Sequence, residues 1–165
     1  MGLLDIFLKK EDIVPRGDEE LVSPVKGKMV PPCEIPDDVF AEEMMGQTVG
    51  FFPANGDIVC PINGVVKVMF PTGHAFGIEG NDGNGYLVHI GINTVSLNGK
   101  GFSTYLKVGD KVKAGQKAVK VDLNVLNESN LNNTVILAVT EKKAYDFRIQ
   151  FIDFGLVEKG QVISQ

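Results

Sequence analysis

The stretch Pro71–Phe102, PTGHAFGIEGNDGNGYLVHIGINTVSLNGKGF, decides how the chain is read. Two apolar-rich segments, 74–79 (HAFGIE) and 86–92 (YLVHIGI), flank the run Gly80-Asn81-Asp82-Gly83-Asn84-Gly85. Apolar runs on either side of a cluster of turn formers predict two β-strands joined by a tight loop. With a symmetric loop, Glu79 faces Tyr86, Phe76 faces His89 and His74 faces Gly91. His74 and His89 then sit as diagonal neighbours on one face, with β-carbons roughly 7 Å apart. A slip of one residue would place them on opposite faces. Along the second strand Tyr86, Val88, Ile90 and Ile92 share one parity and read as core. His89 has the other parity, beside Gly91, a residue that leaves room for something to approach.

These are the only 2 histidines in the chain. A neutral imidazole is a good nucleophile near pH 7, because its unperturbed pKa is about 6.5. One ring of such a pair can attack a phosphoryl group or bind a metal, while the other donates a hydrogen bond to the developing charge. The competing reading is two unrelated histidines on a sheet.

Outside this stretch the composition narrows the field. The chain has 165 residues, enough for one domain with a real core. Its 19 glycines and 8 prolines, without tryptophan, favour many short strands and tight turns. A net charge of −5 with no basic stripe argues against a nucleic-acid partner. Cys33 and Cys60 form no CxxC pattern and read as reduced thiols. No apolar run is long enough to span a bilayer, and Asp5 interrupts what would be a signal peptide, so the reading is cytoplasmic. Residues 1–10 (MGLLDIFLKK) could form a short amphipathic helix making weak contact with the inner face of a membrane, and equally a frayed tail. Residues 11–20 are acidic and read as a linker, so the expected organisation is an N-terminal segment 1–20 and one domain over 21–165.

Within that domain, Ser23-Pro24-Val25-Lys26-Gly27-Lys28-Met29-Val30 resembles Cys60-Pro61-Ile62-Asn63-Gly64-Val65-Val66-Lys67. Each reads as a proline-initiated edge, a glycine turn and a strand, which fits internally duplicated hairpins. Residues 36–46 carry helix signals, with Asp37 or Asp38 as cap and Gly46 as stop. Its Val39, Phe40, Met44 and Met45 are either a core-facing stripe or part of an exposed docking surface. The alternating pattern of 108–119 also occurs in biotinyl and lipoyl carrier domains, but no modifiable lysine with the usual flanking residues is present, so it reads as strand and turn. Asp122–Glu128 reads as a capped helical turn, and 134–140, 147–152 and 155–163 as strands. The residues by themselves read as an all-β, glycine-rich single domain.

Thr72-Gly73-His74-Ala75-Phe76, the fifteen-residue step to His89, and His89-Ile90-Gly91-Ile92-Asn93-Thr94-Val95 followed by Gly99-Lys100-Gly101-Phe102 closely resemble the glucose-class enzyme IIA of the bacterial phosphoenolpyruvate-dependent sugar phosphotransferase system. The resemblance runs over about residues 21–163 and implies an all-β fold, an antiparallel β-sandwich or barrel with a few short helical turns. It implies that His89 accepts a phosphoryl group from the phosphocarrier protein HPr and passes it to a cysteine on the IIB domain of a sugar permease. His74 would hold the phosphoryl oxygens and Thr72 would orient the imidazoles. By the same resemblance, Asp37, Val39, Phe40, Met44, Met45, Phe70, Ile90, Asn93 and Val95 form the surface on which partners dock. Relatives usually carry Asp where this chain has Asn93, and often Glu where it has Ser96, which implies weaker attraction to a basic partner. Some relatives also restrain metabolic enzymes or transporters through this patch, in one case sharing zinc with the partner. No obligatory cofactor is implied. His74 and His89 could hold a zinc ion only with a ligand from the partner, and too few ligands remain for a zinc hydrolase.

Overall fold

Strands form where β-branched and aromatic residues alternate between glycine or proline punctuation, and nearly every such run in this chain does so. The computed structural model describes residues 13–165; the segment 1–10, read as amphipathic, lies outside the described residues. Among those residues the strands are β1 (Gly27–Val30), β2 (Thr48–Pro53), β3 (Asp57–Val59), β4 (Gly64–Met69), β5 (Ala75–Gly80), β6 (Gly85–Ile90), β7 (Phe102–Thr104), β8 (Lys111–Val112), β9 (Lys117–Val121), β10 (Val135–Glu141) and β11 (Gly155–Val157). They build an eight-stranded sheet in the order β11-β1-β2-β10-β6-β5-β4-β8 and a three-stranded sheet β3-β9-β7. The pairings are antiparallel throughout. Ile58, Val119 and Val121 of the small sheet share one core with Phe51, Phe76, Val88, Ile90 and Leu137 of the large one. This is the all-β sandwich that the sequence predicts. Two short helices complete it, α1 (Asp38–Ala41) and α2 (Leu123–Glu128), each capped by the side chain of the preceding aspartate, Asp37 or Asp122.

The repeat at 23–30 and 60–67 is a structural duplication about a pseudo-twofold relation. Val22 N–H donates to Pro61 C=O and Val59 N–H to Pro24 C=O, both at 2.8 Å. Gly27 pairs with Val157 as Gly64 pairs with Val112. A β-carbon on Gly27 would lie 2.2 Å from Phe52 O, and one on Gly64 2.1 Å from Glu79 O. The duplication extends to two turns that sequence reading did not connect. Gly160 N–H donates to Ser23 C=O and Gly115 N–H to Cys60 C=O, each within a turn closed by the glutamine side chains of Gln161 and Gln116.

Several expectations change, among them the last strand, expected over 155–163, which ends at Val157. The hairpin register is shifted by one, pairing Ala75 with His89, Phe76 with Val88 and Glu79 with Gly85. The loop is odd, not symmetric: Gly80 N–H donates to Asn84 C=O, Gly83 N–H to Gly80 C=O, and Gly83 takes φ +91°. A turn followed by one left-handed residue adds a single position and so moves every pair by one. Residues 147–152 form no regular strand. The Gln47 side chain occupies the backbone of Ile149 instead, accepting from its N–H and donating to its C=O, and Phe151 keeps only an isolated bridge to Ser164. The helix expected over 36–46 stops at Ala41, because Glu43 adopts φ +56° and Gly46 φ +116°. The stretch read as a linker lies against the domain near Arg16 and Asp18, where Asn63 and Asn81 bond to it.

Cys60 is fully buried, which pushes its thiol up to about 12, whereas Cys33 is exposed. The thiolate is the reactive form. A thiol reagent is therefore expected to modify Cys33 alone in the folded chain and both cysteines after denaturation. Titration of native and unfolded protein checks it.

Candidate functional site

β6 presents its side chains alternately. Tyr86, Val88 and Ile90 enter the inner core, as their parity predicts, and His89 points to the other face of the sheet, half-buried. On that outer face a second, small apolar cluster collects Ile35, Phe40, Ile92 and Ile136, with Leu87 against it. Ile136 stands directly across from His89 on β10. Ile92 was expected to follow Ile90 inward. It lies in the outer cluster because Gly91 takes φ +77° and breaks the alternation. Nor does Gly91 leave open room: it is buried, and a β-carbon there would meet Thr94 Cγ2 at 2.4 Å.

His74 precedes β5 and escapes the shifted register. By strand parity it would face away from His89. Left-handed Gly73, whose N–H closes a turn on Phe70 C=O, stands immediately before it and interrupts the strand. The rings meet edge to face, with centroids 5.2 Å apart and planes at 79°. The proximity expected from sequence is therefore present, through a different geometry. Phe40 covers His89 at 5.3 Å and Phe70 covers His74 at 5.1 Å between centroids.

The hydrogen bonds define which atoms are available. His89 Nδ1 lies 2.8 Å from Gly91 C=O. A carbonyl can only accept, so Nδ1 carries the proton and Nε2 keeps its lone pair. Thr72 Oγ1 bonds His74 Nδ1. Burial holds His74 below the ordinary histidine range, and the neighbouring His89 lowers it further. Burial also lowers His89, against the opposing pull of the Gly91 carbonyl and the Asp37 carboxylate. Burial thus favours the neutral form of both rings. An NMR titration is expected to place both midpoints below about 6.5. Asp37→Asn keeps a capping side chain but removes the negative charge that favours the imidazolium. The His89 midpoint should fall further in that variant, and a rise would contradict the assignment of Asp37.

Asp37 also organises the rim. Its carboxylate accepts from Val39 N–H at 2.9 Å and from Phe40 N–H at 3.4 Å, starting the helix that sets Phe40 over His89. Of the expected docking residues, Val39, Met44, Met45, Phe70 and Val95 are exposed, Met44 the most at 67%. Two are not. Ile90 is fully buried in the inner core and Phe40 is 7% exposed in the outer cluster, so Ile90 presents nothing for docking and Phe40 offers only an edge. Asn93 is exposed at φ +59°, a left-handed conformation that Asn and Asp tolerate better than most residues. Sequence reading missed the Gly91 carbonyl, Ile35 and Leu87. The available signal was the glycine two residues after His89, a spacing that lets a carbonyl fold back on the ring. Among the described residues no group of three or more His, Cys, Asp or Glu is placed to hold a metal ion. The two imidazoles make half of a tetrahedral set. No helix of the described residues is long and apolar enough to cross a membrane.

This arrangement has counterparts. Residues 19–145 match the family described as phosphoenolpyruvate-dependent sugar phosphotransferase system, EIIA 1. The glucose-specific EIICBA component of Staphylococcus saprophyticus is 43% identical over 120 residues, which are 73% of this chain and 18% of that protein. Its counterpart in Staphylococcus carnosus is 37% identical over 152 residues, 92% of this chain and 22% of that protein. The chain thus spans about a fifth of the length of these curated relatives. Among solved structures, the glucose permease IIA of Mycoplasma capricolum superposes with a TM-score of 0.80 at 33% identity, covering 88% of this chain and 93% of that one. With most of its length inside the family match and a site built on the motif that first suggested it, the chain belongs to the glucose-class enzyme IIA family of the phosphoenolpyruvate-dependent sugar phosphotransferase system.

Proposed function

We propose that the chain is a phosphoryl carrier in which His89 Nε2 is the acceptor atom. One observation carries this reading: His89 Nδ1 is committed to Gly91 C=O at 2.8 Å, so the other nitrogen is left as a free lone pair beside a second imidazole. The donor is the phosphohistidine of HPr. The Nε2 lone pair forms the new N–P bond as the donor's N–P bond breaks, and the donor ring, protonated on its other nitrogen, leaves with that electron pair as a neutral imidazole. Nε2 carries no proton, so none has to be removed first. The His89 ring becomes cationic, and its Nδ1–H stays on the Gly91 carbonyl, which stabilises that charge. His74, with Nδ1 held by Thr72, presents Nε2–H to the phosphoryl oxygens. In the second half-reaction the thiolate of a IIB cysteine attacks phosphorus and His89 departs neutral. The chemistry is positioning and charge stabilisation, as phosphoryl transfer generally is.

Incubation of the purified chain with phosphoenolpyruvate, enzyme I and HPr is expected to give an acid-labile, alkali-stable phosphate, assigned by NMR to Nε2. Labelled HPr beside an unlabelled chain would refute the carrier reading. The exposed Val39, Met44, Met45, Phe70 and Val95 favour a second, compatible use. In it the unphosphorylated face binds and restrains a transporter or metabolic enzyme. There His74 and His89 would supply two nitrogen ligands to a zinc ion, with the remainder from the partner.

A further inference from the structure

Of the features the reaction does not already use, the most tightly built is the segment that follows His89. Thr94 is fully buried, yet it is a polar residue on a 3-10 turn (Thr94–Leu97) whose next two residues, Val95 and Ser96, are exposed. Its hydroxyl donates to Ile90 C=O at 2.6 Å. Its methyl occupies the space in which a Gly91 β-carbon would stand, 2.4 Å from that position. One side chain thus grips the Ile90–Gly91 junction through a hydrogen bond on one side and a packing contact on the other. The flanking peptides are held from β10 and the loop before it: Gly91 N–H donates to Thr134 C=O and Ile92 N–H to Asn132 C=O, each at 2.9 Å. The Asn132 side chain accepts from both the N–H and the hydroxyl of Thr134. Everything around Gly91 is fixed except its own carbonyl, and that carbonyl is the group bound to His89 Nδ1.

We propose that Thr94 is a positioning residue that selects the reactive nitrogen of His89. It keeps Gly91 in its left-handed conformation, so the Gly91 carbonyl points back at Nδ1 and the proton resides there. With the clamp released, the carbonyl swings away, Nδ1 loses its acceptor, and the ring samples the tautomer in which Nε2 carries the proton and cannot attack. The second-shell hydrogen bond on a metal-bound histidine fixes its tautomer by the same physics.

The inference rests on His89 being the reacting ring, and its test is read in the unphosphorylated chain, so its failure is distinguishable from a failure of the carrier reading. Ring ¹⁵N shifts of His89 at neutral pH report the tautomer. In the wild type nearly all rings should carry the proton on Nδ1. Thr94→Val keeps the methyl and removes the hydroxyl. It is expected to move the population at least several-fold toward the Nε2–H form and to slow phosphoryl acceptance about tenfold, in line with general losses from misplaced groups. Thr94→Ser, which keeps the hydroxyl, should restore the wild-type tautomer. A folded Thr94→Val with unchanged His89 shifts would overturn the proposal. Should the valine variant not fold, Thr94→Ala, which removes both contacts, decides alone: a shift toward the Nε2–H form supports the clamp, and unchanged His89 shifts overturn it.

Discussion

His89→Ala is expected to give a folded chain that takes no phosphoryl group from phospho-HPr, whereas His74→Ala should still be labelled but react slowly. The asymmetry follows from the two rings' hydrogen bonds. His89 is the ring whose proton is assigned to Nδ1 by a carbonyl, leaving Nε2 free to attack. His74 is buried with its Nδ1 engaged by the Thr72 hydroxyl, and in the proposed reaction it assists. Removing a single preorganised donor from developing negative charge costs on the order of 10²–10³ in rate, and that is the expected loss in His74→Ala. His74→Gln retains an N–H near the same place and should recover part of it. The fold should survive His89→Ala, since the ring is half-buried on the outer face and its aromatic contact with Phe40 is worth only about 1 kcal/mol. Rapid-quench labelling together with thermal melts checks both halves. A labelled His89→Ala chain would move the acceptor elsewhere.

Gly46→Ala is expected to have the largest effect on stability of any single methyl added to this chain's α1 region. Gly46 has φ +116°, which alanine adopts only under strain, and its β-carbon would lie 1.9 Å from Val139 O. That oxygen belongs to backbone in the central strand β10, so no side-chain movement can relieve the clash. Val139 N–H also bonds Gln47 C=O, and the Thr48 hydroxyl bonds Gly46 C=O, so the segment cannot withdraw without losing paired backbone groups. A loss of about 3 kcal/mol or more is expected, which for a chain of this size lowers the melting midpoint by roughly 6–12 °C. Gly109→Ala is the control. Gly109 also has positive φ, +95°, but nothing stands within 4 Å of its missing β-carbon. It should lose only about 1 kcal/mol, the cost of backbone conformation alone. Equal losses at the two positions would show that strain, not contact, governs both.

Gly46 also shows how far sequence reading reaches. It reads as a helix stop, and the chain does turn there, but the residue is required because β10 passes close by, which no local pattern can register. The hairpin behaves alike. Its strands and the inward parity of Tyr86, Val88 and Ile90 are legible, because alternation reports burial directly. Its register is not, since Gly80–Gly85 is a string of turn formers compatible with odd or even loops. The odd loop is selected by Asp82, whose carboxylate accepts from Asn84 N–H, the Asn84 side-chain amide and the Tyr86 hydroxyl.

By itself the sequence determined the class of the fold, the strands with clean alternation and half of the internal duplication, and its motif singled out the two histidines. Each of these is encoded in short-range pattern or in residue identity. Only the tertiary structure decided the rest. The second half of the duplication appears when Lys113–Gln116 and Glu158–Gln161 are seen to bond equivalent backbone atoms. Ile90 faces inward and Ile92 outward because one left-handed glycine separates them. The Gly91 carbonyl that bonds His89 Nδ1 belongs to a segment held by β10, the loop before it and the Thr94 turn together. Backbone carbonyls and left-handed turns leave little trace in residue type, so the atoms that tune the site become visible only once distant segments are packed against one another.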